Sequence, residues 1–147
     1  MKTGKMEELF KVTYKGREKR ICFRRDGRRS LRFFTCKPEG EKKEIFGTDE
    51  ITPEGVEQYV KIKMREFKRL ISAEQSRLTT VVQTLSRLAR ELERIDGQDH
   101  LARRLNGKAQ ASARRAAQDA KDRIGEIEQE RMALIDKLAS LGIEVTV

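Results

Sequence analysis

Histidine occurs once in these 147 residues, at His100, and cysteine twice, at Cys22 and Cys36. A single imidazole leaves Ser-His-Asp triads, histidine metal sites and His-based acid–base pairs short of parts. Two cysteines this far apart in sequence cannot make a zinc knuckle or a disulfide framework, and both are expected to be reduced thiols. A glycine-rich loop able to cradle phosphate is also missing, since Gly40 and Gly47 read as turn glycines. The expectation is a non-enzymatic protein with no metal and no cofactor.

Long apolar runs are absent too. No stretch of eighteen apolar residues occurs, and Met1-Lys2-Thr3-Gly4-Lys5 leads straight into polar sequence, so a cytoplasmic protein that does not enter a membrane is expected. Aromatic residues make up only 5% of the chain against 39% charged residues. That balance suits a thin, solvent-washed helical rod better than a deep core, while regular apolar spacing argues against disorder.

What the chain has in excess is positive charge, and the charge is uneven. Residues 1 to 70 hold 20 Lys/Arg against 12 Asp/Glu, whereas residues 71 to 147 hold 13 against 12. Between Lys15 and Arg32 nine basic residues face only Glu18 and Asp26, and seven of the nine are arginine, the side chain whose planar fork suits phosphate.

Period-two alternation places the strands. Phe10, Val12 and Tyr14 share one face of a first strand, Ile21 and Phe23 one face of a second, and Leu31, Phe33 and Thr35 one face of a third. A short fourth strand is expected around Lys43 to Gly47. A two-residue turn at Asp26-Gly27 would set Phe23 against Ser30 and split the apolar set between two faces. An odd loop, Arg25-Asp26-Gly27 with Gly27 left-handed, keeps Ile21, Phe23, Leu31 and Phe33 together.

The other face of that hairpin then carries Arg20, Cys22, Arg24, Arg32, Phe34 and Cys36, with Arg25, Arg28 and Arg29 at the tip. Guanidinium groups for phosphates or guanine edges, and one ring for stacking, predict a nucleic-acid surface made of Arg20, Arg24, Arg25, Arg28, Arg29, Arg32 and Phe34. The same face could instead be solvated, pair with the acids of Glu39 to Glu44, or be covered by the first helix. Over residues 10 to 70 this layout of basic strand, polar turn, second strand and helix resembles the small sheet-plus-helix DNA-binding modules at the amino ends of some phage and transposon integrases. The resemblance implies DNA as the partner and is one of layout, without a shared motif; a phage or mobile-element setting is expected only from the small size and basic composition.

Beyond residue 51 the pattern turns helical. Thr52 is a good N-cap, Pro53 fits the first helical position and Glu54 the first turn. Apolar residues follow at threes and fours: Val56, Val60, Met64, Phe67, Ile71, Leu78, Val82, Leu85, Leu88, Leu92 and Ile95. After Asp96-Gly97-Gln98 a second series runs through Leu101, Leu105, Ala109, Ala113, Ala116, Ala120, Ile124, Ile127, Arg131, Leu134, Leu138 and Leu141, with Arg131 its one violation. Folded about residue 97, the alanines oppose large side chains, which supports an antiparallel coiled-coil hairpin roughly 60 Å long. A turn at Asn106-Gly107, or a bundle formed between chains, is the competing arrangement.

The expected organisation is therefore α+β: a basic sheet over residues 1–51, a two-helix coiled-coil hairpin over 52–141 with its tip near 96–99, and a strand over 142–147 returning to the sheet. A homodimer is expected. The hairpin's tip offers a further partner-binding set, Arg90, Arg94, Asp96, Asp99, Arg103 and Arg104, for an adaptor or inhibitor docking a protein. Its two acids at a bend resemble the acidic-tipped coiled coils that enter the RNA polymerase secondary channel.

Overall fold

The computed structural model describes residues 4–27, 30–39 and 44–145. Four strands precede two long helices: β1 (Glu7–Tyr14), β2 (Arg17–Asp26), β3 (Ser30–Glu39), β4 (Glu44–Ile51), α1 (Pro53–Arg94) and α2 (His100–Ser140). The fold class is α+β, with one antiparallel sheet in the order β1-β2-β3-β4. The chain divides into two compact units, Met1–Lys68 with Glu130–Val147, and Arg69–Gln129. Among the described residues no helix is long and apolar enough to cross a membrane.

In the sheet unit, Lys15 and Gly16 both take left-handed φ (51° and 76°), closing a two-residue hairpin between Tyr14 and Arg17. That twist matches the strands it joins. Between β2 and β3 the expected odd loop is present, but it falls two residues later than expected. Asp26 pairs with Ser30, so the loop is 27–29, of which Arg28 and Arg29 lie outside the described residues. Gly27 is left-handed at 78°, a conformation open to glycine at little steric cost. The longer ladder sets Arg24 opposite Arg32 with Asp26 between their guanidinium groups, a neutralisation that the earlier turn would forfeit. It also sets Cys22 against Phe34. Strand β4 runs on to Ile51, four residues past the expected end, and carries a bulge opposite Thr35/Cys36.

One sheet face is apolar and packs on helix. Phe10, Val12, Ile21, Phe23 and Phe33 are buried with Val56, Val60 and Phe67 of α1 and with Leu134 and Leu138 of α2. Each such burial contributes roughly 1.5–3 kcal/mol. Thr52 caps α1 as expected, its Oγ1 accepting the Gly55 N–H at 3.1 Å. The helix starts beside the Phe33↔Ile51 pair and reaches Tyr14 with Tyr59, whose rings meet edge-on at 5.8 Å, so α1 crosses the sheet obliquely from β4 to β1. Edge strand β1 is closed by side chains. The Thr13 N–H donates to Glu66 Oε2 (3.3 Å) and Lys137 Nζ to the Glu8 carbonyl (2.9 Å).

Helix α2 ends in a Schellman cap, the Gly142 N–H bonded to the Ala139 carbonyl (3.0 Å) and the Ile143 N–H to the Leu138 carbonyl (2.9 Å). Ile143, Glu144 and Val145 enter no ladder; Glu144 and Val145 flank a groove beside Glu57, Lys61 and Arg65 of α1. Thr146 and Val147, the rest of the expected closing strand, lie outside the described residues.

In the helical unit the turn is at 95–99, as first expected. The Gln98 N–H donates to Asp96 Oδ1 (2.9 Å), and Asp99 caps α2 by accepting the Ala102 N–H (3.1 Å). Asn106 and Gly107, the competing turn, lie inside α2. From Ile71 to Ile95 the positions drawn out of solvent are Ile71, Glu74, Leu78, Val81, Thr84, Leu85, Leu88, Leu92 and Ile95, a three-four spacing with Thr84 as its one addition, which fits a coiled-coil hairpin. Val81 replaces the expected Val82, which is 51% exposed. On α2 the early seam was misplaced by one residue. Ala102 and Asn106 face inward while Leu101 and Leu105 are exposed (63% and 56%). Buried Asn106 is satisfied, its Nδ2 donating to the Leu88 carbonyl (2.9 Å) and its Oδ1 accepting from Gln110 (2.7 Å).

Candidate nucleic-acid interface

The expected basic face exists as a face. Arg20↔Cys36, Cys22↔Phe34 and Arg24↔Arg32 are consecutive cross-strand pairs on one side of the β2–β3 ladder. Its arginines, however, are already engaged. Arg24 forks onto Asp26 (2.9 and 3.2 Å), and Arg32 forks onto Glu50 (2.9 and 2.8 Å) while reaching Asp26 at 3.3 Å. Arg20 lies 3.8 Å from both Glu8 and Glu18. The Phe34 ring has the guanidinium of Arg24 at 5.1 Å and that of Arg32 at 5.4 Å.

The ion pairs move the titrations in the directions they should. Hydrogen bonds from Arg24 hold Asp26 below the usual carboxylate range, and those from Arg32 hold Glu50 below it; Glu50 in turn raises Arg32. Beneath them Cys22 and Cys36 are buried thiols, both pushed up chiefly by that burial, and therefore poor nucleophiles. The segment before β1 covers part of this side. The Gly4 N–H donates to the Arg25 carbonyl (2.8 Å), and a Cβ at Gly47 would stand 3.0 Å from both Met6 and the Phe34 ring, so a side chain there would press on both. A phosphate arriving on this face would have to displace carboxylates before it met a free cation.

Arg25 is exposed but belongs to the opposite face, across from Leu31. Arg28 and Arg29 lie outside the described residues. The set expected at the helical turn divides in two. Asp96 and Asp99 are occupied as turn and cap acceptors, and Arg90 Nε donates to the Ser86 carbonyl (3.4 Å). Arg94, Arg103 and Arg104 are exposed and form no ion pair among the described residues.

A second cationic region was missed from the sequence. On the helix-side face, β2 places Arg17 and Lys19 in line with Ile21, and β3 places Lys37 in line with Thr35. Because Arg20 pairs with Cys36, Lys19 and Lys37 are cross-strand neighbours, and Lys37 in turn pairs with Phe46 on β4. The oblique course of α1 leaves this corner open. Arg17, Lys37 and Phe46 are exposed and Lys19 half-exposed, and none of the three cations has an ion-pair partner among the described residues. Together with Glu18, Asp49 and the bonded hydroxyls of Thr35 and Thr48 (2.8 Å), the cations line a shallow concavity of about 470 Å³. The alternation that identified Ile21 as core, carried two and four residues back, was the available signal.

No group of three or more His, Cys, Asp or Glu side chains arranged to hold a metal ion occurs among the described residues. The class that fold and surface define is a small α+β protein joining a basic four-stranded meander to two long helices. No protein-family model matches the chain, and no curated protein or solved structure is significantly similar to it.

Proposed function

We propose that this chain is a non-enzymatic nucleic-acid-binding accessory protein that contacts phosphates through its sheet unit and uses its helical unit for self-association or partner docking. The observation that carries the reading is the open corner at Arg17, Lys19 and Lys37, where three cations with no carboxylate partner among the described residues adjoin an exposed ring. Free cations bind phosphate by releasing counterions, whereas those already paired must first give up a carboxylate. Of the residues expected from sequence, Arg25 joins the free cations, while Arg20, Arg24, Arg32 and Phe34 serve the sheet's own stability. Titration of labelled DNA and RNA between about 50 and 200 mM salt tests this. Affinity should fall steeply with salt, and Arg17→Ala should flatten the slope while Arg24→Ala leaves it unchanged; absence of binding at the lowest salt removes the reading.

One observation favours a second reading, an adaptor that docks a protein through its helical unit. Leu101 and Leu105 stand exposed one turn apart on α2, beside Arg104 and Lys108, a pattern that suits a groove with an acidic rim. On that reading Leu105→Glu removes partner binding and leaves nucleic-acid titrations unaffected.

A further inference from the structure

Resting on the nucleic-acid reading, we infer that the open sheet corner takes a single strand, DNA or RNA, and not a duplex, with one base stacked on Phe46 and phosphates on Lys19, Lys37 and Arg17. Lys19, Lys37 and Phe46 form a row across three adjacent strands, one residue from each of β2, β3 and β4. With strands about 4.8 Å apart the row spans roughly 10 Å, and Arg17 lies about 7 Å further along β2. That footprint accommodates two or three nucleotides.

Width decides against a duplex. The outer strands of a four-stranded sheet lie roughly 14 Å apart before side chains are added, whereas the major groove is about 12 Å wide and admits a helix or a two-stranded ribbon. The corner is part of a broad face, so a duplex could touch it only along one phosphate ridge, leaving the ring without a base. A single strand can lie flat on the face. Phe46 is 46% exposed on a strand whose other apolar residues, Ile45 and Ile51, are half-buried, so its ring face is available. Every base has a π-face, so stacking there would be tolerant of sequence. Asp49 shares the concavity and keeps the charge moderate, which suits weak contact with a few nucleotides.

The test uses the full chain and fluorescence anisotropy with three labelled probes: a twelve-nucleotide oligo-dT, a twelve-nucleotide oligo-rU and a twelve-base-pair duplex. At about 50 mM salt one of the single strands should bind at least about tenfold more tightly than the duplex. Its slope of log affinity on log salt should be near −2 if three phosphates are neutralised, and Lys19→Ala or Lys37→Ala should each reduce it by about 0.7. Phe46→Ala should lose roughly 5- to 150-fold on the single strand and leave the slope unchanged, Phe46→Trp should restore the affinity, and Arg114→Ala should change neither. A duplex bound as tightly as the single strands, or a silent Phe46→Ala, overturns the single-strand inference while leaving the nucleic-acid reading standing. Failure of all three probes to bind overturns both.

Discussion

Asp26 ties two arginines of one sheet face together, and its side chain is the residue on which that face depends. Bonded to Arg24 and Arg32 it titrates below the ordinary carboxylate value, and Glu50, bonded to Arg32, does the same. A carboxylate with a lowered folded pKa stabilises the fold above its unfolded value, about 4, and loses that contribution as pH falls through the lowered one. Asp26→Asn should therefore lower the urea midpoint at neutral pH, and the gap from the parent should close as the pH is taken toward 3. Parallel curves would show that another group carries the acid sensitivity. The six residues of this face were legible in the sequence because period two is insensitive to where the turn falls, provided the loop is odd. Their pairing was not legible. Which carboxylate meets which arginine depends on register and on β4, and the composition that promised open cations could not reveal that Asp26 and Glu50 would take them.

At the scale of the element, α2 holds two rows one residue apart, Ala102-Asn106 and Leu101-Leu105, and the structure buries the polar one. Apolar periodicity favours the leucine row. Alanines at 102, 109, 111, 113, 116 and 117 make the neighbouring rows nearly equivalent in shape, so the pattern alone could not fix the rotation of the helix. Asn106 fixes it, because its amide reaches the Leu88 carbonyl only when the helix is turned that way. A lone polar residue in a seam commonly sets register while reducing stability. Asn106→Leu should accordingly gain about 1 kcal/mol and raise the melting midpoint by a few degrees. The same variant should lose the single register, visible as doubled or broadened amide resonances for residues near Leu88. A variant that melts earlier and keeps one set of resonances would mean that the hydrogen bond stabilises without specifying. By contrast, the ends of both helices were legible, since Thr52-Pro53 and Asp99 are local signals that tertiary packing does not override.

For the molecule as a whole, the expected homodimer must form against a net charge of +9 on each copy. What favours it is apolar surface left on the helical unit, where Leu101, Leu105 and Val82 are all more than half exposed. Covering a leucine side chain that far gains about 1–2 kcal/mol, so four leucines in a pair gain roughly one to two times the lowest cost of association, about 4 kcal/mol. Such a balance predicts a weak dimer, its population set by charge repulsion. Repulsion is screened over roughly 10 Å at 0.1 M salt and 3 Å at 1 M. Sedimentation equilibrium should thus find a mass near 17.0 kDa at low salt that rises toward twice that value as salt is added. Leu101→Glu with Leu105→Glu should hold it at the lower mass throughout. On the proposed reading nucleic-acid affinity should move the opposite way with salt, because counterion release would drive it. Binding that weakens while association strengthens would place the two activities on separate surfaces, the sheet corner and the α2 row. If both rose or fell together across the same salt series, one surface would be serving both, and the division of labour between the sheet and helical units would have to be abandoned.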